Sequence, residues 1–468
     1  MKSIKPVLIS GREVHPIIEG GKGVAVSNGK SAGAFAAAGC VGTFSGVNAD
    51  SYDKNGNPIP QVYKSKTRKE RFEELIAYAI EGGIAQARIA HEGSNGQGRI
   101  HMNTLWEAGG TERIIHGVLE GAKGLIHGVT CGAGMPYKMA ELAAQYNVYY
   151  YPIVSSMRAF RALWKRSYSK YADLLGGVVY EDPWKAGGHN GLSNAERHDE
   201  PQDPYPRVAE IRKFMNEIGL NHVPVIMAGG VWYLRDWEDW LDNPEIGPVA
   251  FQFGSRPLLT QESPIPDSWK HRLLNLKEGD VTLNKYSPTG FYSSQLNNDF
   301  LQELRERSER QVPFSRKPTD DLTAEVKVGA RGRAIYVPAD KQADVESWIA
   351  NGYTEAMRTP DDTMIFVTPD RTQEILADQA GCMGCLSACA FSNWADNEEN
   401  TTGRAADPRS FCIQKTLQDI AHGGSVENNL AFAGHNAFKF ADDPLFQSGR
   451  EGKFPNVAQL IDQILTGN

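Results

Sequence analysis

The first 256 residues alternate between short apolar runs and longer amphipathic segments, a pattern typical of a parallel α/β fold. Each apolar run ends in glycine or polar residues, as a buried strand does where it enters a loop. Segments 31–39, 70–81 and 232–241 have the composition or apolar spacing of helices. The predicted strands are residues 14–23 with their turn, 40–44, 100–103, 124–129, 148–154, 175–180, 225–230 and 249–256. Eight strands with intervening helices predict an α/β fold of the (β/α)8 TIM-barrel type.

The sixth predicted strand leads into a glycine-rich stretch, residues 185–191, that contains His189. Its adjacent glycines, Gly187 and Gly188, allow the backbone to approach a flat or anionic ligand closely, because no Cβ stands in the way. Histidine is the side chain whose ordinary pKa suits proton transfer near neutrality. The stretch therefore predicts a catalytic histidine at a strand end. The alternative is a tight turn with a solvated histidine.

The seventh and eighth predicted strands also end in small residues, Gly229 and Gly230 after one and Gly254 and Ser255 after the other. In parallel barrels these two loops form the usual phosphate site, where free backbone N–H groups meet the anion. The sequence therefore predicts a cofactor with a phosphate group. We find no Gly-x-Gly-x-x-Gly unit between a strand and a helix, which favours one phosphate, as in FMN, over a dinucleotide.

Three motifs, AGGHNG, MAGGV and FQFGSRPLLTQES, occur in this order and together resemble the FMN-dependent nitronate monooxygenase family, also called 2-nitropropane dioxygenases. FMN-dependent enoyl-acyl-carrier-protein reductases share these signatures. The resemblance implies that His189 is the catalytic acid or base and that Lys22 stabilises negative charge on flavin or substrate. The cofactor-binding residues that it implies are Gly20, Gly21, Asn103, Lys185, Ala186, Gly187, Gly188, Ala228, Gly229, Gly230, Gln252, Phe253, Gly254 and Ser255.

The chain departs from the family pattern at three places near the predicted flavin. Gly21-Lys22 stands where the family has Pro-Met, Lys185 replaces a glutamate, and Asp182-Pro183 replaces Gln-Gly. These changes alter the polarity of the catalytic face and leave the substrate open. The candidate reactions are oxidation of nitronates or a related small molecule, and NAD(P)H-dependent reduction of an enoyl thioester or quinone. The alternatives from other classes are a flavin/iron–sulfur electron-transfer protein and a non-redox phosphate-binding barrel with structural zinc.

The charge balance, 49 − 57 = −8, comes without a basic cluster, so nucleic acid is not expected as a partner. No apolar run reaches the length of a membrane span, and the first residues lack the apolar core of a signal peptide. We therefore expect a cytoplasmic protein that acts on a small molecule without contacting a membrane. The sequence does not indicate an oligomeric state.

The chain has 468 residues, which exceeds the roughly 250 of one barrel, so a second unit is expected. We predict a barrel over 1–314, an inserted small α/β, cysteine-rich subdomain over 315–424, and a return to the barrel over 425–468. Within the insert, strands are predicted at 334–338 and 364–368 and a helix at 344–350.

Four of the six cysteines lie in the predicted insert, in a Cys-x2-Cys-x3-Cys pattern followed by one distant cysteine. This pattern resembles the ligand set of a 4Fe–4S cluster in flavoenzymes related to 2,4-dienoyl-CoA reductase. The predicted ligands are Cys382, Cys385, Cys389 and Cys412. Structural zinc on the same four residues, for which the x3 step is atypical, and free thiols are the alternatives.

Overall fold

The computed structural model describes residues 2–392 and 405–468. The strands are β1 (Val7–Ile9), β2 (Arg12–Val14), β3 (Ile17–Glu19), β4 (Val41–Ser45), β5 (Arg99–Leu105), β6 (Gly128–Gly132), β7 (Tyr149–Val154), β8 (Val178–Glu181), β9 (Gly188–His189), β10 (Val225–Ala228), β11 (Val249–Phe253), β12 (Val281–Asn284), β13 (Ser293–Leu296), β14 (Gln311–Pro313), β15 (Ala324–Val328), β16 (Arg333–Val337), β17 (Glu355–Arg358) and β18 (Thr363–Val367).

The α-helices are α1 (Gly29–Ala37), α2 (Arg68–Gly93), α3 (Thr111–Gly121), α4 (Met139–Gln145), α5 (Met157–Arg166), α6 (Pro204–Glu217), α7 (Asp267–Leu274), α8 (Asp299–Glu309), α9 (Gln342–Ala350), α10 (Pro369–Ala380), α11 (Ile413–Ala421) and α12 (Val457–Thr466). Segments of 3-10 helix cover Tyr168–Leu174, Leu234–Trp240, Arg256–Leu259, Ala339–Lys341, His435–Ala441 and Pro444–Glu451. The first two are kinked, at Tyr171 and at Trp237. None of the helices in the described ranges combines the length and apolarity needed to cross a lipid bilayer.

Eight parallel strands close into a barrel in the order β10-β11-β3-β4-β5-β6-β7-β8, which confirms the predicted (β/α)8 fold. Alternate residues face the barrel interior, where Ile18, Val179, Ile226 and Ala250 pack together. The other side of each strand packs against the surrounding helices. Because loops that follow the strands gather at the carboxyl end of such a barrel, this end is where a ligand site is expected.

The amino end of the barrel is closed by the antiparallel hairpin β1-β2. In the turn of this hairpin, the Ser10 hydroxyl lies 2.7 Å from the Tyr151 hydroxyl and 3.0 Å from Nε2 of His101. All three side chains are buried. Burial lowers the pKa of His101 to about 3, so this imidazole is neutral and serves packing at the closed end.

Three local predictions differ from the structure. The fourth strand, predicted at 124–129, is β6, because residues near Gly124 form the turn after α3. As a result Cys131, which follows the predicted strand, lies inside β6 and is fully buried. The predicted helix at 70–81 extends over α2, which begins with a capping box between Thr67 and Glu70. Segment 232–241 forms a 3-10 segment instead of an α-helix.

The chain beyond the barrel forms three small sheets. β12, β13 and β9 make one sheet, in which Ser293 is paired with His189. β14, β18 and β17 make a second sheet, and β15 and β16 a third. These last two sheets and α9 share an apolar core of their own. The strands and helix predicted within the insert are therefore present, as β16, α9 and β18.

The segment that contains Cys382, Cys385 and Cys389, called the cysteine segment below, packs against the loop that follows β5. The backbone N–H of Gly109 donates to the carbonyl of Cys385 at 3.0 Å, and Ala108 forms an isolated β-bridge with Leu386. Arg71, near the start of α2, donates from its guanidinium to the carbonyls of Cys382 and Ala380 at 3.0 and 2.8 Å. The cysteine segment is thus held at the carboxyl end of the barrel.

Candidate active site

A large cavity opens at the carboxyl ends of the barrel strands. Its lining comes from the loops after the strands, from the β9 strand, and from segments near Cys385, Ile413 and Phe432. Every predicted catalytic and cofactor-binding residue borders it except Phe253. Those that border it are Gly20, Gly21, Lys22, Asn103, Lys185, Ala186, Gly187, Gly188, His189, Ala228, Gly229, Gly230, Gln252, Gly254 and Ser255.

The floor of the cavity is the last layer of inward-facing side chains in the barrel. Val179, Ile226 and Ala250 face the interior, so the residues two positions on, Glu181, Ala228 and Gln252, also face inward, at the cavity. These three are neighbours across β8, β10 and β11. The same alternation turns the Phe253 side chain outward into the core between strands and helices, so this side chain does not border the cavity, and the prediction that Phe253 binds the cofactor stays a prediction.

The loops after β10 and β11 build a pocket with backbone groups at its surface. Gly229 and Gly230 both have positive φ, +87° and +77°, a conformation that strains other residues. The Ser255 hydroxyl accepts a hydrogen bond from the Gly434 N–H at 3.0 Å, and the Asn436 amide donates to the Gly230 carbonyl at 2.7 Å. The loop containing Gly434 and Asn436 therefore fixes the two barrel loops that were predicted to bind phosphate.

His189 lies in the strand β9, whose register with β13 determines where the imidazole sits. Its Nε2 is 2.6 Å from the Ser287 hydroxyl, which is 2.9 Å from the Thr289 hydroxyl. Its ring packs edge-on against Phe432, with 5.2 Å between ring centroids. Burial lowers the pKa of His189 to about 4, so the imidazole is neutral at physiological pH. Ser287 and Thr289 were not predicted as site residues, because they lie about one hundred positions along the chain and carry no motif of their own.

Lys22 borders the cavity and is also part of a buried ion pair. Its Nζ donates to the Gly20 carbonyl at 2.7 Å and lies 3.2 Å from Oε1 of Glu19. Glu19 also accepts a hydrogen bond from the Ser31 hydroxyl at 2.7 Å. Burial lowers the pKa of Lys22, and the carboxylate of Glu19 opposes that shift. Lys22 therefore brings a largely neutralised charge to the cavity wall.

Lys185 and Asp182, two of the departures from the family pattern, occupy different surroundings. Asp182 is fully buried and its Oδ1 accepts hydrogen bonds from the backbone of Trp184 and Lys185, at 2.9 and 3.0 Å. It shapes the turn that begins the glycine-rich stretch. The Lys185 side chain lies beside Gly230, where an added Cβ would meet its Cδ at 2.7 Å. Lys185 therefore places a cation next to the predicted phosphate loop.

Glu181 was not singled out from the sequence, yet its carboxyl group belongs to the cavity floor. Burial, with a smaller contribution from the charge of Asp182, raises the pKa of Glu181 to about 8. The available signal was an ionisable residue at the end of an apolar strand, two positions after an inward-facing valine.

The four predicted metal ligands lie near one another, and each thiol interacts electrostatically with the other three. Burial first, and the neighbouring thiols second, raise the pKa of Cys385 well above its ordinary value. Cys385 also borders the cavity at the carboxyl end of the barrel, whereas Cys382, Cys389 and Cys412 do not. Within the described ranges, no three His, Cys, Asp or Glu side chains have the spacing needed to hold a metal ion. The thiols are therefore close, but not in a ligating arrangement.

Comparison with known proteins gives a family match and several structural neighbours. Residues 6–348 match the family model for nitronate monooxygenase. A search of curated protein sequences found no match to this chain. Solved structures similar to this chain include FabK from Thermotoga maritima, with 14% identity over 97% of this chain and 92% of that chain and a TM-score of 0.49.

Two further neighbours have comparable similarity. The enoyl reductase domain of MlnA from the macrolactin biosynthesis cluster of Bacillus amyloliquefaciens is 12% identical over 97% of this chain and 93% of that chain, with a TM-score of 0.51. Nitroalkane oxidase from Streptomyces ansochromogenes is 16% identical over 64% and 80%, with a TM-score of 0.41. The likeness to the MlnA domain, at a TM-score of 0.51 and 12% identity, supports the shared barrel fold alone and does not identify a substrate.

Proposed function

The chain belongs to the nitronate monooxygenase family and is an FMN-dependent oxidoreductase, and from this premise we propose that it oxidises nitronates or a related small molecule with His189 as the proton-transferring residue. The observation that carries the proposal is a neutral histidine at the wall of the cavity. Glycine-rich loops and two amide side chains on the floor make this cavity suitable for binding a flavin. FMN, when bound, supplies the redox chemistry; the chain supplies position, hydrogen bonds and a proton site.

The residues of the cavity fit FMN in three respects. Gly229, Gly230, Gly254 and Ser255 would hold its phosphate, since their backbone groups are accessible beside a lysine. Asn103 and Gln252 bring amides to the floor, and an amide has both donors and an acceptor for the edge of a ring system. At Gly21 a methyl group would collide with the side chain of Asn103, so only glycine keeps this part of the wall open.

His189 can hold or accept a proton because Ser287 fixes one ring nitrogen and leaves the other available. If Nε2 donates to the Ser287 hydroxyl, Nδ1 is an acceptor that can take the α-proton of a neutral nitroalkane, the proton that a nitronate has already lost. If the serine donates instead, Nδ1 carries the proton. Ser287 also hydrogen-bonds to Thr289, so a short chain of hydroxyls orients the imidazole. This arrangement supports general acid or base catalysis without a charged partner.

Reduction of an enoyl thioester by NAD(P)H is a second candidate, favoured by the apolar walls of the cavity. Val24, Leu386, Ile413, Leu417 and Phe432 border it, and three of these come from the predicted insert. Such a surface favours a substrate with an acyl chain over a small nitronate, because burying each CH2 contributes about 0.8 kcal/mol. Quinone reduction would use the same surface.

An iron–sulfur relay is a subsidiary proposal. It is supported by the Cys-x2-Cys-x3-Cys pattern, by the mutual proximity of the four thiols, and by the position of Cys385 at the cavity. No three His, Cys, Asp or Glu side chains in the described ranges could hold a single metal ion, so the proposal of a cluster rests on the sequence pattern and on the proximity of the thiols. Iron and zinc analysis of protein purified without oxygen tests this point. Iron near four per chain that Cys385→Ser removes supports a cluster, whereas zinc alone or no metal contradicts it.

Steady-state assays choose between the substrate classes. Purified protein is supplied with nitroalkanes and their nitronates, or with NADH or NADPH plus enoyl thioesters or quinones. Oxygen-dependent turnover of nitronates supports the first proposal. Turnover that requires a reduced nicotinamide and an enoyl thioester or a quinone rejects it in favour of the corresponding alternative.

A further inference from the structure

Glu181 occupies an unusual place for an acidic side chain. It is the last residue of β8 and lies beside Ala228 in the cavity floor. Because it follows the inward-facing Val179 by two positions, its side chain faces the interior of the barrel and not the surrounding helices. No side chain or backbone N–H in the described ranges donates a hydrogen bond to it. The carboxyl group is therefore available to interact with a ligand bound over the cavity floor.

The surroundings of Glu181 decide its charge. On β10 the residue paired with Glu181 is the uncharged Ala228, and the β7 residue that borders the cavity is Ile153, which is paired with Val179. Burial therefore dominates and raises the pKa of Glu181 to about 8. Asp182, the next residue along the chain, is the other charged group that acts on Glu181. The other ionisable groups that border the cavity are Lys22 paired with Glu19, Lys185 beside Gly230, Glu107 hydrogen-bonded to Ser387, Cys385, and the neutral His189.

We propose that Glu181 is a second proton-holding residue of this site, separate from His189, and that it takes up a proton from solvent when a bound flavin gains negative charge. This inference rests on the proposed flavin site. A negative charge placed on the ligand above the floor makes a neighbouring carboxylate unfavourable, because the two like charges share a space with little water. Proton uptake by Glu181 removes that repulsion.

The proton balance of this step is simple. Two-electron reduction of a bound flavin would consume two electrons from an external reductant and one proton that stays on the flavin, leaving one negative charge there, and solvent would deliver a second proton to the carboxylate of Glu181. One O–H bond forms on Glu181, and no bond forms between the carboxyl group and the ligand. At a pH where Glu181 is already protonated, the step takes up nothing, so the extra proton appears only at and above the pKa of this group.

The experiment counts protons taken up during reduction of the flavin in the purified holoenzyme. Dithionite reduces the protein without oxygen in weak buffer, and a pH indicator reports the net change in protons from about pH 7 to 9.5. The protons that dithionite itself releases are subtracted at each pH, with an equal amount of free FMN reduced in the same way as the reference. For the wild-type protein we expect the count to rise by up to about one proton per flavin above about pH 8. Glu181→Gln and Glu181→Ala should both lack this rise. Glu210→Gln, the same chemical change on the exposed face of α6, should retain it.

The outcomes separate this inference from the proposed function. Protein that carries no flavin contradicts the proposed function itself. Protein that carries flavin but shows a constant proton count in the wild type overturns the role of Glu181, even if neither variant retains flavin. A rise that persists in Glu181→Gln or Glu181→Ala also overturns it, because the proton then goes to another group.

Discussion

His189 owes its chemistry to burial and to a hydroxyl partner, since no described carboxylate is hydrogen-bonded to its ring. A neutral imidazole that is held by Ser287 can accept a proton without first losing one. Lys22 differs, because Glu19 and the Gly20 carbonyl already bind its ammonium group. The proposal of catalysis therefore rests on His189, with Lys22 contributing a weaker positive field at the cavity wall.

Replacing His189 with alanine should leave flavin binding intact and lower turnover by about 10²–10⁴, the usual contribution of a general acid or base. The flavin is expected to remain, because the glycine loops and floor amides are unchanged. Turnover with the substrate found in the assays and the flavin content measure the two effects. His222→Ala, a matched change at an exposed histidine, should alter neither. A His189→Ala protein with wild-type turnover would make this histidine structural.

The pH dependence should reflect the lowered pKa of His189. If this residue acts as a base, kcat/KM should stay constant from neutral pH down to about pH 5 and then fall with an apparent pKa of about 4. The sign follows from protonation, since the imidazolium that forms at low pH cannot accept a proton. A fall centred near pH 6.5, the ordinary value, would contradict the buried and uncharged environment of the ring.

At the scale of elements, the positions of the barrel strands were predicted from the sequence more accurately than the residues at which the strands begin and end. Apolar runs and small residues located all eight barrel strands, because a buried parallel strand needs continuous apolar residues. The short strand β9 was not predicted, since its pairing with β13 depends on residues about one hundred positions away. For the same reason Ser287 and Thr289 escaped prediction, whereas motifs with local glycine chemistry did not. Glu181 differs, because the end of its own apolar strand offered a local signal.

The loop after β10 should be sensitive to a single methyl group. In Gly230→Ala the new Cβ would press on Lys185 and hold a residue other than glycine at positive φ. We expect at least a tenfold weaker affinity for FMN, about 1.4 kcal/mol, measured by fluorescence titration of the apoprotein. Gly279→Ala places the same strain, φ +91°, in open space and should keep the affinity. Equal affinities in both variants would exclude this loop from the flavin site.

At the scale of the whole molecule, one cavity is built from the barrel and from segments that follow it. Leu386, Ile413 and Phe432 border it together with the barrel loops. The family match ends at residue 348, inside the predicted insert of 315–424, and the boundaries at 314 and 424 remain a prediction. The resemblance to flavin and iron–sulfur enzymes implied that the cysteine segment lies near the flavin, and Cys385 does border the cavity. The contacts that hold the segment there could not be predicted, because they join distant parts of the chain.

Arg71 should be important for this docking. Its guanidinium donates to carbonyls of Cys382 and Ala380 and also to those of Ser65 and Lys66. Arg71→Ala should lower the free energy of unfolding by about 1–3 kcal/mol, because these acceptors lose a charged donor. Denaturant titration and limited proteolysis of the cysteine segment measure the effect. Arg113→Ala, which removes an exposed ion pair with Glu73, should cost about 0.2–1 kcal/mol. Equal losses would mean that Arg71 does not hold the segment.

The most direct test of the account is anaerobic mixing of the purified protein with its substrate, or with its reductant, while the flavin absorbance is followed. We predict that the wild-type protein carries FMN and that its absorbance bleaches rapidly. The His189→Ala protein should show the same starting spectrum but bleach about 10²–10⁴ times more slowly with a substrate that must lose a proton. A colourless protein, or a variant that bleaches at the wild-type rate, would contradict the assignment of this cavity and of His189.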